Sequence, residues 1–189
     1  MELRGERMIP APVETTWACL NDPDVLKSCI TGCESLERVG DDAFVALVAM
    51  RIGPVSARFK GNLKLTNVQA PTSYTINFDG QGGVAGFGKG SADVSLAAID
   101  PITTRLAYQA RATVGGKMAQ IGSRLIDAAA AKITDDFFAA FEAQLLARAP
   151  AEVRAAAALA PRVREPAGAL GWALAAIVVL GTLAVLAWH

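Results

Sequence analysis

The stretch GGKMAQIGSRLIDAAAAKITDDFF, Gly115–Phe138, decides how the rest of the chain is read. Apolar residues recur in it at helical spacing, and the recurrence continues downstream, so the spacing predicts one long helix over about Lys117–Arg148. Its apolar stripe runs Met118, Ile121, Leu125, Ala129, Ile133, Phe137, Phe141, Leu145. The two ends of that stripe differ in bulk. Phe137, Phe138 and Phe141 fill the C-terminal half, while Gly115, Gly116, Gly122 and a run of alanines leave the N-terminal half thin. Two readings fit a thin half-helix: a pocket opposite it, or close helix–sheet contact through glycine. The pocket is the expectation.

Outward from the helix, the preceding sequence alternates as strands do. Phe59, Gly61, Leu63 and Leu65 fall on one face, and Lys60, Asn62 and Lys64 on the other. Tyr74, Ile76 and Phe78 repeat the pattern, as do Ala92, Val94 and Leu96, and then Leu106, Tyr108 and Ala110. FVALVAMRI, residues 44–52, is a near-continuous apolar run. Turn signals at Gly53-Pro54, Ala70-Pro71 and Asp100-Pro101 separate these segments. Such a series predicts an antiparallel meander with one wet face. Ahead of it, MELRGERMIP reads as a first strand. Val13, Trp17 and Leu20 mark a short helix, and Asn21 or Asp22 caps a second one that begins at Pro23. The order predicts an α+β fold: a curved antiparallel sheet wrapped around a long C-terminal helix over residues 1–147.

Beyond the helix the composition changes. Residues 1–147 carry 14 Lys/Arg against 16 Asp/Glu, net −2, and residues 148–189 carry four Arg against two Glu, net +2. A mildly acidic folded part excludes a nucleic-acid footprint. Residues 148–168 read as a Pro/Ala-rich linker, since Pro150, Pro161 and Pro166 forbid one continuous helix. Residues 169–188 are uncharged and about 30 Å long as a helix, which predicts a transmembrane helix at the C-terminus. Arg162 and Arg164 before that run predict a single-pass protein in the cell inner membrane with its N-terminal domain cytoplasmic.

Several chemical motifs are weak. The single histidine, His189, is the last residue, so the domain has no imidazole to act as base or metal ligand. Cys29 and Cys33 have C-x3-C spacing, but only Cys19 could join them, too few ligands for a structural metal site. Gly83–Ser91 approaches a phosphate-binding loop, yet a strand pattern follows it where a helix is required. It reads as a glycine-rich hairpin carrying Phe87, either a plain turn or a gate. The acidic pairs Asp41-Asp42 and Asp135-Asp136 read as solvated faces. No catalytic residues and no metal site are expected.

Three motifs in order, DPDVLKSCITGCESLERVGDDAF, GFGKGSADVSL and VGGKMAQIGSRLIDAAAAKITDDFF, resemble the carbon monoxide dehydrogenase G-subunit family of the START-like (SRPBCC) helix-grip superfamily. Thr31 departs from the proline usual in that family. The resemblance implies a membrane adaptor that holds a quinone in the helix-grip cavity. It also implies recruitment of a molybdenum hydroxylase of the carbon monoxide dehydrogenase type. No covalently held cofactor is expected. An aromatase/cyclase-like enzyme of the same fold and a scaffold without ligand are the alternatives. The residues expected to line the cavity are Phe78, Leu96 and Tyr108 on the strands. Met118, Ile121, Gly122 and Leu125 face them from the helix, with Phe87 near the mouth.

Overall fold

A computed structural model describes residues 2–148. Seven antiparallel strands form one sheet: β1 (Glu2–Ile9), β2 (Cys33–Arg38), β3 (Ala43–Ile52), β4 (Val55–Gln69), β5 (Ser73–Gln81), β6 (Phe87–Asp100) and β7 (Thr103–Gly115). Their order is β1-β7-β6-β5-β4-β3-β2. The sequential hairpins of the meander thus run from β2 to β7, and β1 closes onto β7, pairing Ile9 with Thr104 and Gly5 with Tyr108. The alternation is realised in burial. Along β3, Phe44, Ala46, Val48, Met50 and Ile52 are all buried, while Val45, Leu47 and Ala49 are only half-buried on the other face. The near-continuous apolar run is therefore a two-sided strand, with medium-sized apolar side chains tolerated on its outer face.

Two short helices, α1 (Val13–Leu20) and α2 (Pro23–Cys29), lie between β1 and β2. Asp22 is the residue that caps α2. Its carboxylate accepts from the Asp24 N–H at 2.9 Å and the Val25 N–H at 3.3 Å, and Pro23 occupies the first helical position. The turn after α2 contains Thr31. It is held to β3 by a hydrogen bond from the Ala49 N–H to the Gly32 carbonyl, 2.8 Å, so the missing proline leaves the turn well tied.

The single helix expected over 117–148 is two. A one-turn α3 (Lys117–Gln120) is followed by a break and then by α4 (Ser123–Arg148). Gly122 makes the break, with φ +92°, a conformation that side-chain-bearing residues rarely adopt. The break separates Met118 and Ile121 from the helix that follows. The buried stripe of α4 is Ile126, Ala130, Thr134, then Phe137, Phe138, Phe141 and Leu145. Its N-terminal half is one residue out of step with the expected Leu125–Ala129–Ile133 line, and its C-terminal half matches. That aromatic end is the anchor of the helix. Phe137 stacks on Phe141 at 5.8 Å, Phe138 stacks on Tyr108 at 6.0 Å, and the Arg7 guanidinium lies 5.3 Å from the Phe138 ring. Arg7 also pairs with Asp135, which is thus tied to β1 and not merely solvated.

The expected fold class needs one correction. The helix-grip architecture of sheet and C-terminal helix is present, but no helix among the described residues is long and apolar enough to cross a membrane. The run 169–188, and the linker from residue 149 onward, lie outside the described residues.

Candidate ligand cavity

Registers across the sheet place the inner-face residues in rows. One row reads Tyr74, Val94, Tyr108 and Gly5 across β5, β6, β7 and β1. The next reads Leu65, Ile76, Ala92, Ala110, Leu3, and the next Phe44, Leu63, Phe78, Gly90, Ala112. The fourth is Ala46, Gly61, Gly80, Gly88 and Val114. Three buried glycines thus stand side by side on β4, β5 and β6, on the inner face of the sheet. A strand glycine weakens its strand and marks a place where something approaches closely. Three of them in register thin the sheet itself.

Beside these rows lies an apolar cavity of about 50 Å³. Its floor is Leu36, Phe44, Leu63, Leu65, Tyr74 and Ile76 from the sheet, and its roof is Leu20 of α1, Leu26 of α2 and Phe137 of α4. Tyr74 supplies the one polar side chain. Burial pushes its phenol well above the ordinary range, so it stays protonated and can donate but cannot act as a base near neutral pH. Its ring meets Trp17 edge-on at 5.2 Å. Leu26 and Leu65 on the wall, and Trp17 beside Tyr74, are half-buried, so part of the cavity's cover reaches solvent. Two larger hollows, about 670 and 780 Å³, lie on the opposite, wet face of the sheet. Their outward-facing side chains are mostly polar or charged, and several are already bonded to one another. Thr75 donates to Asp93 at 2.7 Å, and Gln109 to Glu2 at 2.7 Å. Despite their size they have the character of a solvated surface, and the small cavity has the character of a ligand site.

The residues expected to line the site separate into groups. Phe78, Leu96 and Tyr108 are buried on the inner face of the sheet. Met118 is buried, 1 % exposed, but on α3, and Ile121 is half-buried in the turn after it. Gly122 is exposed, with open space where a side chain would begin, so its lack of bulk serves the break and not a pocket. Leu125 is 49 % exposed beside the β3–β4 turn at Gly53. Phe87 is 40 % exposed and falls on the wet face, out of phase with buried Gly88, its ring covering Gly115. None of the eight is on the wall of the 50 Å³ cavity. The glycine-rich hairpin is packed rather than free: a side chain at Gly86 would meet the Gly115 carbonyl oxygen at 2.0 Å. A strand, β6, follows it directly, which leaves no helix N-terminus for a phosphate.

The sulfur chemistry is quiet. Cys19, Cys29 and Cys33 are all free thiols, and burial pushes Cys29 and Cys33 above their ordinary value, away from reactive thiolate.

The family model of the carbon monoxide dehydrogenase G-subunit (CoxG) matches residues 5–146. A conserved protein from Geobacillus kaustophilus is similar in structure at TM-score 0.72 with 32 % identity, over 77 % of this chain and 95 % of that one. An aromatase/cyclase from Streptomyces sp. R1128 shares the fold at TM-score 0.62 and 12 % identity, over 80 % of this chain and 97 % of that one. A START superfamily protein from Mycobacterium smegmatis does so at TM-score 0.59 and 13 % identity, over 76 % and 96 %. No curated protein matches the chain.

Proposed function

Because the chain belongs to the carbon monoxide dehydrogenase G-subunit (CoxG) family, we propose that its domain is a binding module for an apolar ring compound of the quinone class. It serves as an adaptor for a molybdenum hydroxylase of the carbon monoxide dehydrogenase type. The observation that carries the ligand reading is the apolar cavity between the sheet and the three helices, next to the glycine row. A cavity of about 50 Å³ is smaller than the roughly 150 Å³ hole that takes a benzene. Uptake therefore requires the roof of Leu20, Leu26 and Phe137 to shift away from the sheet, and the half-buried side chains of Trp17, Leu26 and Leu65 are where the cover is thinnest. A binding role rather than a catalytic one is favoured by the walls, where a protonated tyrosine is the one polar side chain. The partner rests on the family. A place at the cytoplasmic face of a membrane belongs to the same reading, since quinones reside in the bilayer.

Mass spectrometry of solvent extracts from the purified full-length chain tests the ligand. A quinone recovered in near-stoichiometric amount is the expected result, and extracts that never contain one, even after incubation with quinone, would sink it. Co-purification from the native cell tests the partner, with the molybdenum hydroxylase subunits expected in the eluate. Cell fractionation tests the location, which a chain found wholly in the soluble fraction would refute.

A further inference from the structure

Two hydroxyls in the core, on Thr16 and Thr134, belong to wholly buried residues and have no hydrogen-bond partner among the described residues. Burial of an unpaired hydroxyl is costly, so each such group needs an explanation. For Thr134 the position on α4 says what it faces. It lies one turn before both Phe137 and Phe138, and residues three and four apart share a helix face. Phe137 is directed toward β4 and β5, where it lines the cavity with Leu63 and Ile76. Phe138 is directed toward β7 and β1, stacked on Tyr108 and beneath Arg7. Between these two directions lies β6, which stands between β5 and β7 in the sheet. The inner face of β6 there offers Ala92 and Gly90, with Gly88 beyond. Its partners across the ladder are Ala110, Ala112 and Val114 on β7 and Ile76, Phe78 and Gly80 on β5, and the Phe78 ring lies over Gly90, so the smallest pair facing Thr134 is Ala92 with Ala110. A buried polar atom thus faces the small Ala92–Ala110 pair, and the apolar cavity begins one turn along the helix at Phe137 and across the ladder at Ile76.

We propose that Thr134 is the polar anchor of the ligand site. Its hydroxyl donates a hydrogen bond to a carbonyl oxygen of an apolar ring compound lying between α4 and β6. The ring rests on Ala92, and its far edge reaches the cavity beside Phe137. This deepens the ligand-binding reading above and depends on it.

A matched pair of probes separates the two. Menadione and 2-methylnaphthalene share one ring system, and only the first has carbonyl oxygens. Affinity of the full-length chain for each is measured by fluorescence quenching, beside thermal midpoints, for wild type, Thr134→Val and Thr134→Ser. Wild type is expected to bind menadione more tightly than the hydrocarbon. Thr134→Val should weaken menadione about three- to tenfold, the span of one hydrogen bond, and leave the hydrocarbon unchanged. Thr134→Ser should retain menadione. Because an unpaired hydroxyl is removed, the valine variant should also melt about 2–4 °C higher. Unchanged menadione affinity in Thr134→Val would remove the anchor and leave the cavity reading standing. Equal weakening of both probes would make Thr134 a shape residue only. A lower melting point would mean that the hydroxyl is bonded within the core. Wild type that takes neither probe would end the ligand reading, and the anchor with it.

Discussion

The two halves of α4 are built to different ends. From Phe137 to Leu145 the helix presents large side chains, all buried, that meet β1, β7 and each other as stacked rings. From Ser123 to Thr134 it presents Ile126, Ala130 and Thr134 inward, while Leu125, the larger residue at its start, stays half in water. Fully burying a Phe or Leu side chain contributes roughly 1.5–3 kcal/mol, so most of the helix's hold on the domain comes from one end. The other end runs from Phe137, which lines the cavity with Leu63, toward Leu125, which lies beside Gly53, and Gly61 of β4 falls between Gly53 and Leu63 along the chain. At that level of the sheet Gly61, Gly80 and Gly88 stand in register. Rigidity and room are divided along one helix, and the same division explains why the helix can stay in place while the space beneath part of it is small-residue and apolar.

The largest expected effect breaks this contrast at its strong end. Phe141→Ala should cost about 3–5 kcal/mol in urea unfolding, because Phe141 is wholly buried between Phe137 and the core. A loss below about 1 kcal/mol would mean that the aromatic end is not the anchor. Next comes Gly122→Leu. No atom would clash with the new side chain, so the cost should be backbone strain alone, about 1–2 kcal/mol at φ +92°. If urea unfolding finds the leucine neutral, the left-handed break does not exist.

A third substitution addresses the contact between α2 and the end of α4. Burial pushes the Asp22 carboxyl up, but the Arg148 guanidinium and the Val25 and Asp24 N–H groups outweigh it and hold the carboxyl below its ordinary value. A depressed folded value means that the contribution is complete above the unfolded value and is lost as pH falls through the folded one. Asp22→Ala should cost about 1 kcal/mol near neutral pH through the lost cap. Its stability should also fall less steeply than that of the wild type in acid, as followed by circular dichroism. The smallest effect belongs to the thin end: Leu125→Ala should change stability by less than about 0.5 kcal/mol. A larger loss would show that the half-exposed leucine carries packing weight.

Much of the fold was legible because period-2 alternation survives locally. Phe59 and Leu63, or Tyr74, Ile76 and Phe78, announce their shared face without knowledge of any partner strand. The aromatic half of α4 was legible for the same reason at period 3.6. Its N-terminal half was not, because its inward line runs through Ile126, Ala130 and Thr134, while the larger Leu125 and Ile133 beside them gave the periodicity a neighbouring line. The site was the least legible part. Sequence logic placed the missing bulk on the helix, at Gly122. The missing bulk that faces inward is instead on the sheet, and Gly61, Gly80 and Gly88 are far apart in sequence. Only the ladder register brings them side by side, so each in isolation reads as an ordinary weak point in a strand. Thr134 was hidden for the same reason, since the expected stripe ran through the apolar Ile133 beside it.

The last described residue of α4 is also a mechanical joint. Arg148 reaches Asp22 at 3.2 Å and the Cys19 sulfur at 3.9 Å, which fastens the end of the helix to the corner between α1 and α2. Those two short helices supply Leu20 and Leu26 to the cavity roof. Tension on the chain at Arg148 therefore divides between the aromatic anchor of α4 on the sheet and a single guanidinium that leads into the roof.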